Sequence, residues 1–407
     1  MKALLRRLAA TTARTIFAIY GLWSLFRRPR LDLPLPASSI RRVLVIRLDL
    51  MGDAVFSAPA VEAVARHFPN AEIDVLALPY TAPLVRAIPV VHHVYELDVN
   101  AYRRLLGLGR LGALFRTVQA LRKRDYDLVI SLSRLVGGIF AGLSGGRWRA
   151  GAAQETYWGC YNLPSPGRRY APGQHEVDYC LALVGWVAEQ VLGTQWGGPE
   201  SPERGIPVLS ATRFFGATAV ELGQSPYVVV VPGASNGTAK QWPIVYWAEL
   251  ADRLGAECGV EVTLCGGNEE RGLAEAFKSL AKRPVRDLIG QTSVSELARI
   301  VAGAAVVVAG DTGPLHLAVS LGRPTVGIYG ATDPVNTGPL GDRSRVLRAG
   351  LACSPCYDLR SPAECKLPDR SVACMWKVSP AEVYAAVATV LKDREAFAGG
   401  ASLVEAV

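Results

Sequence analysis

The chain has 407 residues, of which half are apolar and one fifth are charged, a composition typical of a folded globular protein with more than one domain. Its net charge is +8, but residues 1–30 hold seven basic side chains and no acid, so the rest of the chain is close to neutral. This distribution argues against a nucleic-acid-binding protein, in which basic residues would cluster on a folded domain.

Residues 1–40 are predicted to form a basic, amphipathic segment that lies on an anionic membrane surface. Apolar and aromatic side chains fill residues 15–26, between clusters of arginine. This run is shorter than the ~20 residues that a membrane-spanning helix needs, while arginines beside aromatic residues suit a lipid headgroup region. The basic continuation at 27–30 offers no small-residue cleavage site, which argues against a signal peptide. A disordered start with some apolar character is the open alternative.

Residues 41–205 are predicted to form an α/β domain. Short β-branched runs alternate with amphipathic stretches, which is the pattern of βαβ units that build a parallel sheet. Strands are predicted at 42–48, 72–79, 92–97 and 126–132, and helices at 59–68 and 111–123.

The alternation restarts after a stretch rich in Gly, Pro and Ser, so residues 206–225 are predicted to be a linker. Strands are predicted at 227–233, 260–267, 304–311 and 324–330, and helices near 243 and at 294–304. We therefore expect a second α/β domain over 226–380, followed by a C-terminal helix and tail over 381–407. The predicted fold is two Rossmann-like, doubly wound domains facing across a cleft, with ligands at the carboxyl ends of the strands.

The sequence Asp311-Thr312-Gly313 follows the predicted strand over 304–311 and precedes a proline, which together mark a helix start. Exposed N–H groups at a helix start attract anions. Asp311 itself would repel a phosphate, so we expect it to cap the helix or to hold a hydroxyl or sugar group. His316 lies one turn into the helix. An ordinary strand–turn–helix with a packed histidine is the open alternative.

A loop of small residues, PGASNGTAK at 232–240, follows the strand predicted at 227–233. It lacks the GK[ST] ending and the spacing of a Walker A loop. A loop of small residues that ends in lysine at a helix start nevertheless suits a diphosphate. Lys240 is therefore a candidate for neutralising a leaving group, and a solvated loop lysine is the open alternative.

The first predicted strand, 42–48, runs into Asp49, Gly52 and Asp53. Gly52 lets the backbone turn sharply. Asp53 then falls at or near a helix start, where N–H groups favour its charged form. It is either a helix cap or a general base within reach of a substrate hydroxyl.

Eight scattered cysteines do not form the framework of a secreted protein, so reduced thiols in the cytosol are expected. Four of them form a cluster with spacings of two, eight and eight residues: Cys353, Cys356, Cys365 and Cys374. The cluster, within a Cys-rich loop over 353–374, is either a structural zinc site or a set of free or loosely redox-active thiols.

Three blocks carry a resemblance to a known family: VLVIRLDLMGDAVFSAPAVEAV, VVPGASNGTAKQWPIVYWAELA and DLIGQTSVSELARIVAGAAVVVAGDTGPLHLAVSLGRPTVGIYGATDP. In this order they resemble glycosyltransferase family 9, the lipopolysaccharide heptosyltransferase family, over most of residues 41–392. The resemblance implies the GT-B fold and an inverting, metal-independent transfer of heptose from ADP-heptose to the lipopolysaccharide core. No cofactor beyond that nucleotide sugar is implied. Together with the basic first segment, it predicts a cytoplasmic protein that is peripheral on the inner membrane.

The resemblance also assigns roles to single residues. Asp53 matches the catalytic base, and Lys240 matches the lysine that binds the diphosphate. The other matches to the donor site are Ser235, Asn236, Asn268, Glu269, Thr292, Asp311, Thr312, Gly313 and His316. Asn268 or Glu269 is expected to approach the nucleoside. The span 134–173, which includes Trp148 and Arg169, is expected to shape the acceptor side.

Three alternatives stay open to different degrees. One keeps the fold and mechanism but uses another nucleotide sugar and another envelope glycan. A nicotinamide-dependent oxidoreductase is disfavoured because no G-x-G-x-x-G follows the first strand of either domain. A non-catalytic membrane-surface protein would have no need of Asp53 and Lys240.

A catalytic metal would need Asp-x-Asp after a strand, and Asp125-Tyr126-Asp127 precedes its strand, so we interpret it as structural.

Overall fold

The computed structural model describes residues 33–97, 108–134, 136–155, 157–169, 171–195, 205–215, 226–234, 237–357, 364–369 and 371–398. Most of the predicted membrane-surface segment, half of the predicted linker and the end of the tail lie outside the described residues. Within the described ranges, no helix is long and apolar enough to cross a membrane. The chain divides into two compact units, Met1–Gly205 and Ile206–Val407.

The first unit is built on a parallel sheet of six strands in the order β3-β2-β1-β4-β5-β6. The strands are β1 (Arg42–Arg47), β2 (Glu72–Ala77), β3 (Val91–Glu96), β4 (Leu128–Ser131), β5 (Trp148–Ala152) and β6 (Leu163–Ser165). The helices are α1 (Met51–Phe56), α2 (Ala58–His67), α3 (Ala82–Arg86), α4 (Leu108–Lys123), α5 (Gly137–Leu143) and α6 (Glu176–Leu192). The central strands read as continuous apolar runs because both faces of the sheet are covered.

The second unit repeats this plan with the order β12-β11-β10-β7-β8-β9, again all parallel. The strands are β7 (Tyr227–Val231), β8 (Glu261–Leu264), β9 (Arg286–Asp287), β10 (Val306–Gly310), β11 (Thr325–Tyr329) and β12 (Ser344–Arg348). The helices are α7 (Ala211–Phe215), α8 (Ile244–Glu257), α9 (Arg271–Leu280), α10 (Val294–Gly303), α11 (Gly313–Ser320), α12 (Pro334–Thr337), α13 (Ala373–Trp376) and α14 (Pro380–Ala398). Valines of β7 and β10 pack with apolar residues of α8 and α14 in one core.

In each sheet, the order in which strands are added changes direction at the first strand of the unit. That strand therefore pairs on one side with the strand that follows it in sequence and on the other side with a strand from the later part of the unit. In the first unit β1 lies between β2 and β4, and in the second β7 lies between β8 and β10. The loops that leave the two central strands of such a sheet diverge to opposite faces, so a crevice opens at their carboxyl ends. Asp53 follows β1, and Asp311 follows β10. The fold therefore places the predicted site residues of each unit at that unit's crevice.

The predicted α/β class and the two Rossmann-like sheets are confirmed, but several elements escaped the sequence analysis. Strand β5 has the sequence WRAGA, without a β-branched residue. Strand β12 is an edge strand with largely exposed side chains, and β9 has only two residues. None of these shows the buried β-branched run on which the strand prediction depends. Trp148, one residue of the span expected to shape the acceptor side, is the first residue of β5 and is 1% exposed, so its side chain belongs to the core.

Candidate active site

Asp53 lies in the first turn of α1, immediately after the loop that leaves β1. Its Oδ2 accepts a hydrogen bond from the backbone N–H of Leu50, at 3.1 Å. The predicted capping role is therefore present in the structure. About a fifth of the Asp53 side chain, 20%, remains exposed, so the same carboxylate is still accessible to a substrate hydroxyl.

Two arginines and a buried glutamate surround Asp53. Arg169 Nη2 donates to Asp53 Oδ1 at 2.7 Å, and Arg169 Nε donates to Glu176 Oε2 at 2.8 Å. The guanidinium of Arg47 contacts Glu176 Oε1 at 3.0 Å and lies 3.6 Å from Asp53 Oδ1. The sequence analysis found neither Arg47 nor Glu176, because one is inside a strand and the other begins a helix far along the chain.

Two further carboxyl groups belong to this charged region. Asp49 lies in the loop after β1, where burial raises its pKa although Arg169 and Arg47 act in the opposite direction. Glu155 follows β5, and its Oε2 accepts from the hydroxyl of Tyr161 at 2.9 Å. Burial raises the pKa of Glu155 to about 8, against the lowering effects of Tyr161 and Arg169. Glu155 therefore holds a proton at neutral pH.

Stability should depend on pH through Glu155. Its folded-state pKa of about 8 lies above the ordinary value of 4.5, so the folded protein keeps a proton that the unfolded chain loses between these values. The free energy of unfolding should then decrease as pH rises through this window. We expect Glu155→Gln to flatten this decrease, as measured by urea denaturation at pH 5.5, 7.0 and 8.5. The control is Glu96→Gln, at an exposed carboxyl; an equal effect of both variants would contradict the assignment to Glu155.

In the second unit, Lys240 and Asp311 meet at the carboxyl ends of neighbouring strands. Lys240 ends a short 3-10 turn, Thr238–Lys240, in the loop that leaves β7. Its Nζ donates to the backbone oxygen of Asp311 at 3.0 Å and lies 3.7 Å from Asp311 Oδ2. The ring of Tyr357 lies 5.2 Å from the same ammonium, a cation–π distance. Lys240 is therefore held in place and not a freely solvated lysine.

The carboxylate of Asp311 is the centre of this group of residues. His316 Nε2 lies 3.3 Å from Asp311 Oδ1, and the hydroxyl of Tyr329 donates to the same oxygen at 3.4 Å. Burial alone would raise the pKa of Asp311, but the charge of Lys240 and the hydrogen bond with His316 lower it to about 2. Asp311 is therefore ionised at neutral pH. His316 is 4% exposed, so it packs against Asp311 inside the unit.

Helix α11 begins directly after Asp311, with Thr312 as the residue before its first turn and a proline inside that turn. Thr312 is extended, and its hydroxyl donates to the backbone oxygen of Gly310 at 3.4 Å. Gly313 is the first helical residue. The predicted helix start is therefore present, with Pro314 in its first turn and the N–H of Leu315 donating to the backbone oxygen of Thr312 at 3.1 Å.

The residues predicted to bind the nucleoside, Asn268 or Glu269, and the donor-site residue Thr292 differ in how far they are exposed to solvent. Asn268 and Glu269 are exposed, and Thr292 is half-buried. Glu270 instead points inward: its Oε2 accepts from the N–H of Gly267 at 2.8 Å. A Cβ at Gly233 would come within 1.7 Å of Glu270 Oε1, so this carboxylate lies against the loop after β7. Of the two acidic residues of this turn, Glu270 lies against the loop that carries Lys240 and Glu269 is exposed. Ser235 and Asn236 lie outside the described residues.

The cysteine cluster lies beside the end of β11. Cys374 packs so closely against Gly330 that an added Cβ would lie 2.8 Å from its Sγ. All eight cysteines are thiols, and burial raises the pKa of Cys356 and of Cys374. Among the residues that the structure describes, no group of three or more His, Cys, Asp or Glu side chains is arranged to hold a metal ion.

The Asp125-Tyr126-Asp127 segment is structural, as predicted. Asp127 Oδ2 accepts from the backbone N–H groups of Arg41 and Arg42, at 2.8 and 3.0 Å. These bonds connect the residue before β4 to the start of β1. They lie at the amino-terminal ends of these strands, whereas Asp53 follows the carboxyl-terminal end of β1.

Comparison with known proteins agrees with this geometry. Residues 114–367 match the sequence profile of glycosyltransferase family 9 (heptosyltransferase). The lipopolysaccharide heptosyltransferase 1 of Pseudomonas aeruginosa is 31% identical, over 77% of this chain and 86% of that protein. The solved structure of E. coli ADP-heptose lps heptosyltransferase II has a TM-score of 0.66 at 22% identity, covering 87% of this chain and 99% of the other.

A second solved structure, E. coli heptosyltransferase WaaC with ADP-2-deoxy-2-fluoro heptose, is 25% identical with a TM-score of 0.58, covering 76% of this chain and 93% of that one. The family profile covers more than half of the chain and includes Lys240, Asp311 and His316. The chain belongs to glycosyltransferase family 9 and is a glycosyltransferase.

Proposed function

We propose that this chain transfers heptose from ADP-heptose to an acceptor in the lipopolysaccharide core or a similar cell-envelope glycan. The observation that carries the proposal is the meeting of Lys240 with the start of α11 at the crevice of the second sheet. An ammonium and several N–H donors at one point suit a diphosphate. The choice of ADP-heptose is supported by the names of relatives, which are heptosyltransferases, one of them bound to an ADP-heptose analogue.

The proposed mechanism is inverting and independent of metal. Asp53 accepts the proton of the acceptor hydroxyl while that oxygen attacks the anomeric carbon of the heptose. The bond from that carbon to the diphosphate oxygen breaks on the opposite face, and its electron pair leaves with ADP. Lys240 and the N–H groups at the start of α11 stabilise the charge of the departing diphosphate. In this assignment, residues 41–205 bind the acceptor, residues 206–225 are the linker and residues 226–380 bind the donor.

The second candidate keeps the same fold and mechanism but uses another nucleotide sugar and another envelope glycan. A panel of nucleotide sugars distinguishes the two, with binding and slow donor hydrolysis measured with and without a chelator. ADP-heptose should bind most tightly and should be hydrolysed equally in both conditions. Preference for a hexose donor would select the second candidate, and strict dependence on a divalent metal would overturn the mechanism.

We also propose that the chain binds the cytoplasmic face of the inner membrane through residues 1–30, which lie outside the described residues. The support is their basic and aromatic composition. Deleting residues 1–30 should move the protein from the membrane to the soluble fraction of a cell lysate and leave ADP-heptose binding unchanged. A matched control deletes residues 399–407 and should not alter fractionation. Unchanged fractionation after the first deletion would refute the anchor.

A further inference from the structure

Asp53 belongs to a ring of alternating charges, which Arg47 closes at 3.6 Å from Asp53 Oδ1. Arg169 lies between Asp53 and Glu176, and Glu176 lies between Arg169 and Arg47. The side chains of Arg47 and Glu176 are fully buried, and that of Arg169 is 7% exposed. Asp53, at 20%, and the neighbouring Asp49, at 17%, have appreciable contact with solvent. The network is therefore open to solvent at its two aspartates and buried at Glu176 and Arg47.

The network fixes the orientation of the Asp53 carboxylate. Oδ1 accepts from Arg169 at 2.7 Å, and Oδ2 accepts from the N–H of Leu50 at 3.1 Å. A carboxylate has about four acceptor positions, so these two bonds leave room for a substrate hydroxyl. Arginine suits this place because its planar fork binds two carboxylates at defined angles, which a lysine ammonium does not do.

The same arrangement allows Asp53 to change its charge. When Asp53 takes up a proton, it no longer neutralises Arg169. The guanidinium then still has Glu176, which it contacts through Nη2 at 2.6 Å and through Nε at 2.8 Å. A buried charge without a partner is strongly unfavourable. Glu176 removes that obstacle and is itself paired with Arg47 at 3.0 Å.

We propose, on the basis of the function proposed above, that Arg169 and Glu176 are positioning residues: Arg169 orients Asp53 toward the acceptor hydroxyl, and Glu176 keeps Arg169 paired when Asp53 is protonated. Neither residue has to touch a substrate. The two have opposite charges and act on the same group, so their removal should have opposite electrostatic effects on Asp53.

The test compares the pH dependence of kcat/KM for transfer from ADP-heptose to a lipopolysaccharide-core acceptor. Its acidic limb reports protonation of the base in the free enzyme. The titratable and charged groups that face Asp53 are Arg47, Asp49, Tyr80, Arg169, Glu176 and Cys180. The variants are Arg169→Gln, Arg169→Lys and Glu176→Gln, and the control is Asp178→Asn, a half-buried acid in the same first turn of α6.

Arg169→Gln should lower kcat by about 10²-fold, the cost of a misplaced catalytic group, and move the acidic limb to higher pH by about one unit. Glu176→Gln should also lower kcat but move the limb to lower pH, because a negative charge near Asp53 is removed and Arg169 no longer shares its charge with Glu176. Arg169→Lys should keep the limb near its original pH and recover part of kcat. Asp178→Asn should change neither, and all variants should bind ADP-heptose normally.

A double variant decides whether Arg169 acts through Asp53. If it does, Asp53→Asn with Arg169→Gln should be no slower than Asp53→Asn alone, since a residue that works through another loses its effect when the other is absent. The inference would be overturned if the double variant lost activity by the product of the two single losses. It would also be overturned if Arg169→Gln and Glu176→Gln moved the acidic limb in the same direction, or if they raised the acceptor KM without moving the limb. Retained turnover in Asp53→Asn alone would instead show that the proposed base is wrong.

Discussion

Asp53→Asn should lower the rate of heptose transfer by about 10²- to 10⁴-fold, the usual contribution of a general base, while ADP-heptose binds as before. The amide has the size of the carboxylate, but its single oxygen, Oδ1, can accept from only one of the two donors, the N–H of Leu50 or Arg169. It has no capacity to take up the proton of an acceptor hydroxyl. Steady-state transfer kinetics and calorimetric titration with ADP-heptose measure the two effects separately.

The control for this substitution is again Asp178→Asn, which removes a carboxylate from the same unit. The exchange at Asp53 also removes one ion pair of Arg169, which keeps its contacts with Glu176 at 2.6 Å and Asp49 at 3.9 Å, so a modest decrease in melting temperature is expected. A variant that folds, binds ADP-heptose and transfers at the rate of the unaltered protein would remove Asp53 as the base.

Lys240→Met should weaken ADP-heptose binding by about 10- to 100-fold, since hydrogen bonds to charged groups contribute ~1.5–3 kcal/mol each. Methionine keeps the length of the side chain but lacks the ammonium that lies 3.7 Å from Asp311 Oδ2. Asp311 then remains a buried carboxylate with His316 and Tyr329 as partners. Its pKa should rise from about 2, and the free energy of unfolding at neutral pH should fall.

The matched control is Lys278→Met, at a half-exposed lysine of the same unit that pairs with Asp287 at 2.7 Å. An exposed ion pair contributes little to stability, so this variant should bind ADP-heptose as the parent does. Calorimetric titration and urea denaturation at pH 7 measure binding and stability. Equal donor affinity in both variants would contradict the role of Lys240.

The sequence predicts the strands of the two sheets well, but it does not predict the ion pairs and hydrogen bonds that surround the site residues. Strands β1, β7 and β10 are continuous valine, leucine or isoleucine runs, so their ends and the loops after them could be located. The contact between Arg169 and Asp53 joins residues 116 positions apart. No periodicity or local motif records such a pair, because it depends on how the loop between β6 and α6 folds back to the first turn of α1.

Glu269 and Glu270 are adjacent in sequence, but their side chains point in different directions. Both follow the glycines after β8, and the sequence offers no means of choosing between them. The 3-10 turn Asn268–Glu270 turns Glu270 inward to Gly267 and leaves Glu269 exposed. Local turn geometry of this kind rotates each successive side chain by about 120°. The geometry of this turn therefore decides which acidic side chain faces the loop after β7.

The shared strand order of the two sheets makes the loop after β1 and the loop after β7 equivalent positions. One carries the acids Asp49 and Asp53, and the other carries Lys240. Each loop is held by contacts within its own unit, with Arg169 and Glu176 in the first and with Asp311 in the second. Exchanging a block of sequence within one unit therefore leaves the supports of the other unit intact. Under the proposed division of acceptor and donor binding between the two units, donor choice and acceptor choice should be separately adjustable, and chimeras joined within 206–225 would test this.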